Sequence, residues 1–255
     1  MKRAVLLCVV AAWSLLNGPL HATTRILIFP FEADNSVPHW EWLSYGLPAE
    51  IELRLLRVSS ADVALHDQRV PDSKVEKVAR SHGARAYVTG SFRIAGGFVE
   101  VEAVVVKLSA PDMPRKFSGR APFSSMLRSL DDLCKSMPVA TGARLLRTEH
   151  GYLDHPTTDD VEAFEFYASG LAHLRAYQAD PFASEDHLVP ALISMMRARK
   201  KDKGFYGPCL KMGRIHEQSG NSDRSIASYR EAIRRAPGLK PAMEAIARME
   251  GKPSL

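Results

Sequence analysis

The spacing of apolar positions changes partway along this chain, and the change divides it in two. Arg25 to Phe31 is an apolar run containing Ile26, Ile28 and Phe29 and broken by Pro30, which predicts a short buried strand. Glu32 to Pro38 is polar and reads as a loop. Leu43, Leu47, Ile51, Leu55 and Leu56 then fall on one helical face, which predicts a helix over Leu43 to Arg57. Val63 to His66 has the character of a short strand. Val75, Val78 and Ala79 return to helical spacing between Pro71 and His82, and Gly83 stands where a helix C-terminus is expected. Ala86 to Ile94 and Phe98 to Val106 are two β-rich runs around Ala95-Gly96-Gly97, and glycine supplies the positive φ that a hairpin turn needs. Arg115 to Arg120 predicts a third strand and Phe123 to Met137 a helix. The order βαβαβββα predicts an α/β domain with a mixed sheet over residues 23–144.

Residues 145–157 carry Gly151, His155 and Pro156 without strong periodicity and read as a linker. Beyond them, over residues 158–255, only the helical period remains. Phe164, Tyr167, Leu171 and Leu174 form one apolar face, helices follow at about 186 to 200, 207 to 219 and 223 to 236, and a closing helix lies near Pro241 to Met249. Ala191, Met195 and Ala198 recur 34 residues later as Ser225, Tyr229 and Ala232. With Met212-Gly213, Gly220 and Pro237, this small, large, small pattern resembles the tetratricopeptide repeat. Two repeats and a capping helix are expected, the first with a lengthened turn, because Gly170 lies nine residues ahead of the phase set by Gly213.

The front half also carries a resemblance. The strand ending in Pro30-Phe31, then Gly46-Leu47-Pro48-Ala49-Glu50-Ile51, then Gly83 to Ser91 with Arg93 and the Gly-Gly hairpin, resembles the TolB N-terminal-like domain and the related FlgO-like domain. It covers residues 24 to 137. The departure is at the far strand, where Pro111 to Phe117 is short and holds two prolines, leaving the outer strand of the sheet open. The resemblance implies a TolB N-terminal-like α/β domain, a linker and an all-α tetratricopeptide-repeat domain. Such proteins work in envelope complexes, so the class implied is an interaction protein.

Composition narrows this. Lys2 and Arg3, an apolar run from Ala4 to Leu16, and Ala22 have the anatomy of a cleavable signal peptide over residues 1–22. An uncleaved anchor is the alternative, although the run is short for a membrane span. Cys8 lies within the run and behind two leucines, which does not suit lipid attachment. The expected location is the periplasm of a Gram-negative cell envelope, with membrane association only peripheral or through an uncleaved signal. Cleavage takes two cations and no acid from the formal charge of +5, leaving +3. Cations and acids are interspersed, so a nucleic-acid partner is not expected. Arg197 to Lys203 is the densest basic run; it suits a solvated helix end, with an acidic partner site as the alternative. Cys134 and Cys209 would remain after processing, either as a disulfide or as two buried thiols.

A search for chemistry finds no metal-ligand spacing among the nine histidines and no nucleophile elbow, Walker loop or dinucleotide fingerprint. Asp131-Asp132 and Asp159-Asp160 are paired carboxylates, but Asp159-Asp160 falls in a first helical turn, where acids favour the helix dipole, and neither pair is read as a catalytic site. No enzyme activity and no cofactor are expected. By the repeat resemblance, the first helix of each pair lines a groove, which nominates Tyr167, Arg175, Lys211, Arg214 and Gln218 for a protein partner. Cations there suit an acidic peptide or a C-terminal carboxylate. The alternative is a small ligand bound by the α/β domain, whose state the repeats relay to a partner.

Overall fold

A computed structural model describes residues 23–34, 40–179 and 188–251. The expected signal peptide and the lengthened turn lie outside these residues. Six strands, β1 (Thr24–Ile28), β2 (Glu32–Ala33), β3 (Ala61–Leu65), β4 (Ala86–Ala95), β5 (Phe98–Lys107) and β6 (Arg115–Pro122), form one mixed sheet. Its order is β3-β1-β4-β5-β6, with β2 pairing β4. β1 runs parallel to both β3 and β4, whereas β4, β5 and β6 form an antiparallel meander. Gly96 and Gly97 make its first turn with φ of 59° and 79°, values a side chain disfavours.

One expectation is corrected here, and the question left open at the outer strand is closed. Part of the segment read as polar loop is β2, which adds Glu32 and Ala33 beside Ser91 and Phe92. The outer strand is complete, paired with β5 from Val105 opposite Arg115 to Phe98 opposite Pro122. Pro111 and Pro114 fall in the preceding turn, and Pro122 closes an edge strand, where its missing N–H costs no ladder bond.

The sheet has two unequal faces. Leu27 and Phe29 meet Val75 and Ala79 of helix α2 (Asp72–Ser81) in a small cluster. The opposite face, with Ile26, Ile28, Val63, Val88, Val99, Val101 and Val105, enters a large core that also contains helix α1 (Leu43–Leu55) and helix α3 (Asp131–Thr141). The helix expected from Phe123 begins as a 3-10 segment, Phe123–Leu130, and becomes α-helical only at Asp131. Gly119 of β6 lies against that segment, where an added Cβ would stand 1.8 Å from the Ser129 carbonyl oxygen. Backbone cannot yield as a flexible side chain does. Gly119→Ala is therefore expected to cost about 1–3 kcal/mol or more through overpacking, read as a lower urea midpoint.

Helices α4 (Val161–Ala179), α5 (Leu188–Lys201), α6 (Gly207–Gln218), α7 (Ser222–Arg235) and α8 (Lys240–Met249) form the C-terminal region. The chain is thus a mixed α/β sheet followed by a helical region. Asp160 accepts a hydrogen bond from the Ala163 amide at 2.9 Å and opens α4, satisfying one of the free N–H groups at its start. Small residues let the helices approach: Ser225 is fully buried and its hydroxyl donates to the Gly213 carbonyl at 2.8 Å.

The two regions share one core. α1 is buried almost all round because the sheet covers one side and α4 another, as expected of a helix without a solvent face. Phe164 and Tyr167 of α4 pack with Trp42 and Phe205 at ring separations of 5.1 to 6.5 Å. Residues 145–157 hold a 3-10 turn, Arg147–Tyr152, whose buried Glu149 accepts the Ser59 amide at 2.8 Å. Thr157 donates its amide to Glu50 at 2.8 Å and its hydroxyl to the same carboxylate, fastening this stretch to α1.

Candidate functional site

The charged residues of α1 are the unusual feature of the interior. Glu50, Glu52 and Arg54 are all buried in a helix whose remaining side chains are mostly apolar. Arg54 meets Glu50 at 2.7 Å, Asp131 at 2.8 Å and the Leu127 carbonyl at 2.8 Å. Burial alone would lower the Arg54 pKa, but Glu50 and Asp131 outweigh it and raise it. Glu52 points instead toward the helical region. Its carboxylate receives Lys211 Nζ at 2.8 Å and lies 3.6 Å from Arg214.

This pair forms the floor of a cleft of about 240 Å³ between the sheet and the helices. Val63, Ala64 and Leu65 of β3 line one wall. Arg175 of α4 and Arg214 and Gln218 of α6 line the other, with Asp67 at the mouth. Four of the five nominated residues, Arg175, Lys211, Arg214 and Gln218, therefore come together. Tyr167 does not join them, being fully buried, and burial pushes its phenol pKa well up. Its packing against Phe164 and Phe205 explains the position, since large rings at this point fill the joint between the regions.

The cations differ in how free they are. Lys211 is buried, and desolvation holds its pKa down at about 8 despite Glu52. Glu52 would be raised by burial, but Lys211 and Arg214 outweigh that and lower it. Arg175 reaches Asp67 at 3.3 Å and stacks 3.9 Å over Tyr45. Its Nη1 is buried without a hydrogen-bond partner among the described residues. Arg214, at 38% side-chain exposure, is the cation most open to a ligand. Three cations face two carboxylates, so the cleft keeps an excess of positive charge.

The cleft also receives an unpaired sheet edge, which the sequence reading did not include. Thr24 N–H donates to the Ser60 carbonyl at 2.8 Å and His66 N–H to the Ile28 carbonyl at 2.8 Å. In a parallel ladder this alternation turns the peptide groups of Val63 and Leu65 away from β1. No backbone hydrogen bond to either group occurs on that side among the described residues. Glu52 and Asp67 were also missed. The signal for Glu52 was present, since Glu50, Glu52 and Arg54 interrupt a run of leucines and an isoleucine.

The cysteines do not pair. Both are free and buried; burial raises the Cys134 thiol to about 12 and also raises Cys209. Each serves as a small apolar side chain with little thiolate character.

No family model matches the chain. No curated protein matches it either. Among solved structures, a PelC dodecamer from Paraburkholderia phytofirmans is similar over 54% of this chain and 93% of that one, at 17% identity and a TM-score of 0.29.

Proposed function

We propose that this chain is an exported, non-enzymatic adaptor of the periplasm and cell envelope that holds the acidic end of a partner protein in the cleft between β3 and α6. The front half acts as a TolB N-terminal-like domain and the helices as a short tetratricopeptide stack. The carrying observation is the positive excess of the cleft beside the open Val63 and Leu65 peptide groups. An extended chain end can add main-chain hydrogen bonds to such an edge while its carboxylates meet the cations. At about 240 Å³ the cleft has room for the last residues of a chain. Glu52 already satisfies Lys211, so Arg175 and Arg214 are assigned to the incoming carboxylates.

The test uses a fluorescent peptide ending in Asp-Glu with a free terminal carboxylate, and its C-terminal amide as control. The acid should bind the full chain, the amide more weakly, and Arg214→Glu should weaken the acid by about tenfold or more, as expected for a charge-assisted contact turned repulsive. Equal binding of acid and amide, or an unaffected Arg214→Glu variant, rejects the assignment.

A second reading follows from another cavity, of about 210 Å³, beyond the C-terminal end of β1. Glu32, Arg69, Asp72, Thr89, Ser91 and Glu102 line it, the position where α/β sheets commonly bind ligands. A polar small molecule seated there would fit the sensing alternative.

A further inference from the structure

We propose that the outer face of α5 docks the protein peripherally on an anionic lipid surface. Val189, Ile193 and Met196 recur at helical spacing along this face and are 47%, 45% and 51% exposed. The inward face of the same helix, with Leu188, Ala191, Met195 and Ala198, is already buried. The exposed stripe is therefore surplus to the core. Scattered exposed apolar residues need no explanation, but these three are contiguous and their continuation is cationic. Arg197 and Lys200 follow Ile193 and Met196 at four-residue spacing, and Lys203 extends the line. All three cations are exposed, and none forms an ion pair among the described residues.

Ile193, Met196, Arg197, Lys200 and Lys203 share one shallow depression of about 540 Å³. Its floor is apolar and its rim basic. Arg199 and Arg235 also line it, but the largely buried Arg235 already donates to Glu231 and to the Phe205 carbonyl, so the depression has neither a free buried hydrogen-bonding group to fix the register of a protein partner nor a deep pocket for an anchoring side chain. A lipid surface requires neither. It supplies acyl chains for the stripe and anionic headgroups for the rim, while long basic side chains bury their stems and keep their charges at headgroup level. No helix among the described residues is long and apolar enough to cross a membrane, so the contact lies at the surface. The site is separate from the cleft in both residues and chemistry.

The test is co-sedimentation of the full chain with vesicles of phosphatidylglycerol and phosphatidylcholine, against pure phosphatidylcholine vesicles. Binding should require the anionic lipid and weaken with salt. Arg197→Glu/Lys200→Glu should reduce the partition coefficient about a hundredfold, since two attractions become repulsions. Ile193→Asp/Met196→Asp should reduce it at least about tenfold. Both variants alter exposed side chains, so their melting temperatures should match the wild type. Arg214→Glu, which tests the cleft, should leave vesicle binding unchanged. Binding to neutral and anionic vesicles alike, no binding to either, or variants that bind like the wild type would overturn the proposal. So would retention on polyglutamate without vesicle binding, which would assign the patch to an acidic protein.

Discussion

Arg54→Leu is expected to lower the unfolding free energy by about 3–5 kcal/mol, the range found when one partner of a buried ion pair is removed. The guanidinium is fully buried and divides its donors among Glu50, Asp131 and the Leu127 carbonyl. Leucine would fill part of the volume but leave the buried Glu50 carboxylate facing apolar atoms, with only Thr157 still donating to it. Three elements would loosen together: α1, the start of α3 and the stretch leading to α4. Arg54→Lys should recover only part of the loss, because one ammonium on a flexible stem cannot reproduce a planar fork aimed at three acceptors. Urea unfolding with an unchanged slope and a lower midpoint would report the effect as stability alone. A midpoint within error of the wild type would mean that Glu50 finds another donor.

The same residues show what sequence patterns convey. Elements were legible where a period repeated: the hairpin around Gly96 and Gly97, the helical face from Leu43 to Leu55, and the helices following Leu188 all lie close to where spacing placed them. β2 was not legible, since two residues carry no period and Glu32-Ala33 is a strand only because Ser91 and Phe92 lie alongside. The outer strand was obscured by prolines that belong to the turn before it. At the cleft, the cations of α4 and α6 could be nominated because a helical repeat fixes which positions share a face. The opposing wall could not. Glu52 and Asp67 reach the cleft only because α1 and the end of β3 pack against the helices, and contacts more than 100 residues apart, such as Asp67 with Arg175, leave no local pattern. The basic run at Arg197 to Lys203 was visible as charge, but its junction with an exposed apolar stripe depended on knowing which face of α5 the core leaves uncovered.

Lys211→Met should be as costly as the loss of Arg54, about 3–5 kcal/mol, because it leaves Glu52 buried and facing only Arg214 at 3.6 Å. The double replacement Glu52→Leu/Lys211→Met should recover most of that loss, since removing both charges also removes both desolvation penalties. The coupling in this cycle should then greatly exceed the few tenths of a kcal/mol seen for independent sites. The pair also gives a pH signature. Lys211 titrates near 8 in the folded chain against an ordinary 10.5. Between those values the folded form releases a proton that the unfolded form keeps, so this group's contribution to stability rises with pH. Glu52 is lowered from 4.5. Its contribution is complete above that value and disappears as pH falls through the folded pKa. Relative to the double variant, the wild type should therefore gain stability from about pH 8 toward 10 and lose it in acid below about 4.5. Urea midpoints across this range would measure both limbs, and a pH-independent difference between the two proteins would show that Lys211 and Glu52 are not ionised together in the folded chain.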